Sequence, residues 1–239
     1  MISEHQLAVN YPSLWSTVTP LSDGYWLMQN RLTERVFTPP LKPFAPTEFR
    51  AVINEVAYRA FLEFHRLRLD QDDRASIQQL IRSLTLDVIN YVNRLSGSKK
   101  SLEANAFDSA CMREAMALTF RHLHFFPNDD TIELSPAFHG CGSVSACFGD
   151  VISEGCLYEI KAGDRGFRIA DLRQLLIYSA LAHASKQLRF QNIALLNPRT
   201  GQFWKKSLND VCLSIAGQSS IDTLDELVKK IIDLQQVDF

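Results

Sequence analysis

The dipeptide Glu154-Gly155, set between two apolar runs, constrains this chain more than any other feature. Residues 144–152 read as one strand and residues 156–161 as a second, and a two-residue loop of this kind is the strongest short-range signal for antiparallel pairing. In that register Ser153 faces Cys156 and, counting outward, Asp150 lies directly opposite Glu159. Side chains alternate along a strand, so Glu159 and Lys161 project together while Ile160 points into the core. Directly opposed Cβ atoms lie about 4.5–5.5 Å apart, where like charges destabilise a sheet. Two carboxylates set face to face need something to hold them. A hard dication does this, since Mg²⁺ takes carboxylate oxygens and keeps waters in its remaining positions. Two acids and a lysine so placed can form a divalent-metal site that attacks phosphodiesters. The plain alternative is a surface hairpin whose charges are merely solvated. The neighbours Val144, Val151, Ile152, Leu157 and Ile160 argue against it, because charges among buried strands are unusual.

The segment after Lys161 adds a helix. Residues 169–184 carry apolar side chains at Ile169, Leu172, Leu176 and Leu181, and Gln174 and Tyr178, four apart, share one helical face. With strand, strand and helix in this order, the D-x8-E-x-K and Q-x3-Y set resembles the PD-(D/E)XK nuclease superfamily, especially its RecB-like branch, over roughly residues 131–197. The resemblance implies that Asp150 and Glu159 are metal ligands for Mg²⁺ or Mn²⁺, with the Ile160 carbonyl as a further ligand. It implies that Lys161 orients or activates the attacking water, and that Gln174 and Tyr178 support the site or touch the nucleic acid. Gly149 stands where the motif name has proline. The histidine that RecB-like members often carry upstream of the aspartate has no clear counterpart.

A chain of 239 residues, 46% hydrophobic, can bury a real core as one large domain or two small ones. Its formal net charge of -2 announces no nucleic-acid partner, but the distribution does. From Arg165 to Lys206 the basic residues are Arg165, Arg168, Arg173, Lys186, Arg189, Arg199, Lys205 and Lys206, against the single acid Asp171. A basic region beside an acidic metal site fits a phosphate track, and Arg165, Arg168 and Arg173 are its candidate contacts. No apolar run approaches a membrane span and the N-terminus has no signal-peptide pattern. The 5 cysteines lack tight spacing, so free thiols in a reducing, cytoplasmic compartment are the better reading than disulfides or an iron–sulfur cluster.

Elsewhere, residues 1–45 are mixed and proline-punctuated, with an extended strand expected over 25–37. Thr47 caps a helix reaching about Leu69, Asp72 or Asp73 opens a second that stops at Ser96-Gly97, and Ser101 opens a third running to about residue 125. Strands follow at 132–138 and 188–196, then a turn at 197–201, a short strand at 202–205, and helices near 208–216 and 221–236. From Ser101 onward the order is that of the α/β, restriction-endonuclease-like α-β-β-β-α-β core with a mixed central sheet. Residues 1–100 then form an added, mostly helical N-terminal module, and 101–239 the nuclease core with C-terminal helices.

In the superfamily the first core helix often supplies another acid. Glu114, mid-helix among Cys111, Ala115 and Leu118, is preferred to Glu103, against the alternative of a solvated glutamate beside Arg113. His139 is more plausibly structural than catalytic, and Gly140-Cys141-Gly142 a bend rather than a dinucleotide loop. Phe138, Phe148 and Tyr158 could stack bases, though strand aromatics more often pack. The expectation is a Mg²⁺- or Mn²⁺-dependent nuclease that hydrolyses DNA, with RNA not excluded. The resemblance suggests a helicase or ATPase partner in phage defence, restriction or repair. The rival is a non-catalytic nucleic-acid-binding or assembly subunit retaining the fold.

Overall fold

The computed structural model describes residues 1–70, 73–96, 101–127 and 130–234. In chain order the helices are α1 (Glu4–Asn10), α2 (Pro12–Val18), α3 (Ser22–Gln29), α4 (Arg50–Leu67), α5 (Arg74–Ser96), α6 (Ser109–Phe125), α7 (Ile169–Ala184), α8 (Leu208–Ala216) and α9 (Ser220–Asp233). The strands are β1 (Glu34–Arg35), β2 (Glu133–Leu134), β3 (Ala137–Phe138), β4 (Cys147–Phe148), β5 (Val151–Ser153), β6 (Cys156–Ile160), β7 (Asn192–Asn197) and β8 (Gln202–Ser207). The protein is α/β, with a mixed six-stranded sheet in the order β1-β8-β7-β6-β5-β2 and a separate β3-β4 ribbon. The β6–β7 pair is parallel and the others antiparallel, so α7 serves as the crossover a parallel pair requires.

Strand alternation divides the apolar residues between two faces. Leu157, Ile193 and Leu195 join Leu172, Leu175 and Leu176 of α7 in one cluster, which also takes Leu7 of α1, Trp15 of α2, Trp26 of α3 and Leu224 of α9. Cys156, Tyr158, Ala194 and Leu196 join Val56, Phe61 and Phe64 of α4, Ile81 of α5 and Leu118 of α6 in the other. Both clusters draw on residues from either side of position 100, so the two stretches share their cores. Glu159 and Lys161, odd-numbered like Leu157, are thereby placed on the α7 face. Among the described residues no helix is long and apolar enough to cross a membrane.

The hairpin has the expected register, Ser153↔Cys156, Ile152↔Leu157 and Val151↔Tyr158. Glu154 and Gly155 both take positive φ, 48° and 67°, as a turn that matches the strand twist requires. The ordered strand before it is shorter than the expected 144–152. It breaks at Gly149-Asp150, where the chain passes so close that a Cβ on Gly149 would lie 3.0 Å from the Phe138 ring. The 132–138 strand breaks likewise at Ser135, φ 49°, leaving β2 in the main sheet and β3 in the ribbon. Residues 25–37 are mainly not extended: α3 occupies 22–29 because Trp26 buries edge-on against Trp204, 5.4 Å between ring centroids, and only Glu34–Arg35 pairs as a strand. The third long helix begins at Ser109 rather than Ser101, since Asp108 caps it by accepting from the Ala110 and Cys111 amides. The helix expected from Asp72 or Asp73 begins at Arg74; Asp72 and the Gly97 stop lie outside the described residues.

Candidate active site

The break at Gly149-Asp150 frees Asp150 from the ladder at the position opposite Glu159. Its Oδ2 accepts from the Ile160 amide at 2.6 Å, and its carbonyl from the Tyr58 hydroxyl of α4 at 3.1 Å. Glu159, 5% exposed, accepts from Lys161 Nζ at 2.6 Å through Oε1. Lys161 Nζ also donates to Gln174 Oε1 at 2.8 Å, and Gln174 Nε2 to the Tyr178 hydroxyl at 2.8 Å. Tyr178 is stacked on Phe138 with centroids 5.0 Å apart. A run of polar contacts thus joins Glu159, Lys161, Gln174 and Tyr178 from the hairpin onto α7, and Asp150 is fixed beside it on the Ile160 amide.

The electrostatics are those of crowded acids. Burial pushes the Glu159 carboxyl up to about 8, with the charge of Asp150 adding to it and Lys161 opposing. Asp150 is also raised, by burial first, against the Ile160 amide and Lys161. Burial works against the Lys161 ammonium, yet Glu159, Asp171 and Asp150 outweigh it and hold its pKa above the ordinary value. The Tyr178 hydroxyl is raised by burial and by both acids. One acceptor in the cluster is left over: Glu159 Oε2 is buried and has no hydrogen-bond partner among the described residues. An unsatisfied buried carboxylate oxygen costs free energy and calls for a partner such as a water or an ion.

The donor set fits a hard cation in that respect. Two hard oxygen ligands stand together, one with an unclaimed oxygen, and both carboxyls stay raised even with the Lys161 ammonium beside them. Among the described residues no group of three or more His, Cys, Asp and Glu side chains gathers to hold a metal, so two carboxylates are the protein's side-chain offering here.

Other expected residues fall elsewhere. Glu114 is fully buried and already engaged: Oε1 accepts from Arg199 Nη1, and Oε2 from the Phe44 and Ala45 amides at 2.7 and 3.0 Å. Burial alone would raise its carboxyl, but these donors hold it below the usual range. Its effect on the site is indirect, for Arg199 Nε donates to the Ala162 carbonyl at 3.0 Å, next to Lys161. Arg165 makes a two-pronged contact with Asp171 at 2.8 and 2.9 Å. Arg173 lies over the Trp15 ring, 5.4 Å from its centroid, and reaches Asp23 at 3.4 Å. Arg168, just before α7, is exposed. His139 is exposed, Phe148 is 68% exposed, and Tyr158 packs edge-on against Phe126.

Two groups at the site have no role assignable from the sequence alone. On α4, Tyr58 anchors Asp150, and Glu55 adds a negative charge that raises the Asp150 carboxyl. Their signal was a polar pair three apart on a helix otherwise read only for its apolar stripe. Asp171, 3% exposed, lies 4.0 Å from Lys161 Nζ. It was visible as the lone acid of the 165–206 stretch. No family model and no curated protein matches the sequence, so the geometry carries the functional reading.

Proposed function

We propose that the chain is a Mg²⁺- or Mn²⁺-dependent nuclease of the PD-(D/E)XK type that hydrolyses DNA phosphodiester bonds. The observation that carries this reading is the unclaimed, buried Glu159 Oε2 beside Asp150, with the Lys161 ammonium 2.6 Å from the other Glu159 oxygen. With the β3–β4 ribbon set aside as an insertion between β2 and β5, the order α6, β2, β5, β6, α7, β7 supports it, since it follows the α-β-β-β-α-β plan. Asp150 and Glu159 would hold the cation, with the Ile160 carbonyl as a further ligand. A bound dication would lower the pKa of a water and neutralise charge gathering on the phosphate. Lys161 stabilises the same charge and orients the attacking water. Gln174 fixes Lys161 and Tyr178 fixes Gln174, so the ammonium is aimed before substrate arrives. Exposed Arg168 offers a phosphate contact, and a helicase or ATPase is the class of partner we would pair with it.

The test is cleavage of single- and double-stranded DNA, with RNA alongside, in Mn²⁺ or Mg²⁺ and in chelator. Wild type should cut only with the cation, and Asp150→Ala, Glu159→Ala and Lys161→Ala should each abolish cutting while staying folded. Wild-type rates in all three variants would refute the assignment. Binding without cutting, indifferent to chelator, would instead make this a nucleic-acid-binding subunit.

A further inference from the structure

Asp171 stands near the start of α7, where its Oδ2 accepts from the Arg168 amide at 2.7 Å. Capping the start of a helix needs no more than that one acceptor, and a neutral side chain would supply it. Asp171 is instead a buried carboxylate, gripped on both oxygens by the Arg165 guanidinium and facing Lys161 Nζ at 4.0 Å. Lys161 therefore donates to two oxygens, Glu159 Oε1 and Gln174 Oε1, and has the Asp171 Oδ1 charge 4.0 Å away as an ion-pair partner. Two of these are anionic, and Glu159 is the one the proposed chemistry lends to a cation. Asp171 is the counter-charge that Lys161 keeps throughout, and Arg165, only partly exposed, sets where that carboxylate points.

We infer that Asp171 is a positioning residue for Lys161 and that Arg165 acts through Asp171, as a brace inside the protein, rather than by gripping nucleic acid. This rests on the reading of Lys161 as the working cation of the site. Two variants test it: Asp171→Asn, which keeps an acceptor for the Arg168 amide but loses the charge, and Arg165→Gln, which removes the grip. The measurements are kcat and KM for DNA cleavage in Mn²⁺, DNA affinity in Ca²⁺ by fluorescence anisotropy, Tm, and a crystal structure of each variant. Misplacing a catalytic group by about 1 Å can cost roughly 100-fold, so kcat should fall on the order of 10- to 100-fold. KM and the Ca²⁺-state affinity should stay near wild type, Tm should fall because each variant leaves one partner of the Arg165–Asp171 pair uncompensated, and Nζ should leave hydrogen-bonding range of Gln174 Oε1. Wild-type kcat with Nζ in place would overturn the brace. So would an Arg165→Gln loss confined to KM and affinity, which would return Arg165 to the nucleic acid. If Asp171→Asn does not fold, Arg165→Gln carries the test. If wild type cuts no nucleic acid, the nuclease reading has failed, and the position of Nζ in the variant structures still decides the brace.

Discussion

Replacing Glu159 by glutamine should make the metal-free protein more stable, and increasingly so as the pH rises. The substitution keeps the shape and removes one of two negative charges that burial and proximity penalise. A carboxyl whose folded pKa is raised lends full stability below its unfolded value and loses it as pH climbs through the folded value. For Glu159 that window runs from 4.5 to about 8. At about 1.4 kcal/mol per unit the whole window is worth roughly 4–5 kcal/mol, and because Asp150 and Glu159 titrate as a pair we assign about half, near 2 kcal/mol, to the substitution at pH 8. For a chain of this size that is about 4–8 °C in Tm. Thermal denaturation of wild type and Glu159→Gln from pH 4.5 to 8.5 should show curves that meet at the acid end and separate toward the alkaline end. Millimolar Mn²⁺ should close the gap by stabilising wild type alone. A variant less stable than wild type at pH 8, or a gap that does not widen with pH, would refute the idea of two acids held at a cost.

His122 acts in the opposite direction. It is fully buried, stacked on Phe61 at 5.4 Å, and burial holds its pKa down to about 4. Its contribution is intact above pH 6.5 and is lost as pH falls toward 4, by about 3 kcal/mol in all. His122→Phe should flatten that part of the acid unfolding profile; an unchanged slope would place the acid sensitivity elsewhere. Glu114→Gln should destabilise by about 3–5 kcal/mol, because it strands the buried Arg199 guanidinium. Loss of Mn²⁺ binding at unchanged Tm would instead return Glu114 to the metal site. Arg168→Ala should weaken DNA binding and reduce its salt slope by about one. Arg173→Ala should lower Tm by uncovering Trp15 and leave the salt slope alone; the reverse pattern would show the basic surface to be misassigned.

The parts of the site legible in the sequence are those governed by short-range rules. A two-residue turn sets the pairing count, so the register Ser153↔Cys156, Ile152↔Leu157 and Val151↔Tyr158 follows from counting alone. The 3.6-residue period likewise put Gln174 and Tyr178 on one face of α7, which spans the 169–184 expected of it. What escaped depends on partners distant in sequence. Glu114 looked like a core-helix acid, but its environment is decided by Arg199, 85 residues away. The pairing of Arg165 with Asp171 and the seat of Arg173 over the Trp15 ring are likewise set by the folded chain. Residues 25–29 carry no clear period, and it is burial of Trp26 against Trp204 that makes them helical. Backbone breaks at Ser135 and Gly149 left no local mark strong enough to outweigh the apolar runs around them.

The most direct test of the central claim is an anomalous difference map from a crystal soaked in Mn²⁺. One strong peak should appear between the Asp150 carboxylate and Glu159 Oε2 and be lost in Glu159→Gln. A fully occupied Mn²⁺ elsewhere, with those two carboxylates unmoved and the gap between them empty, would contradict it.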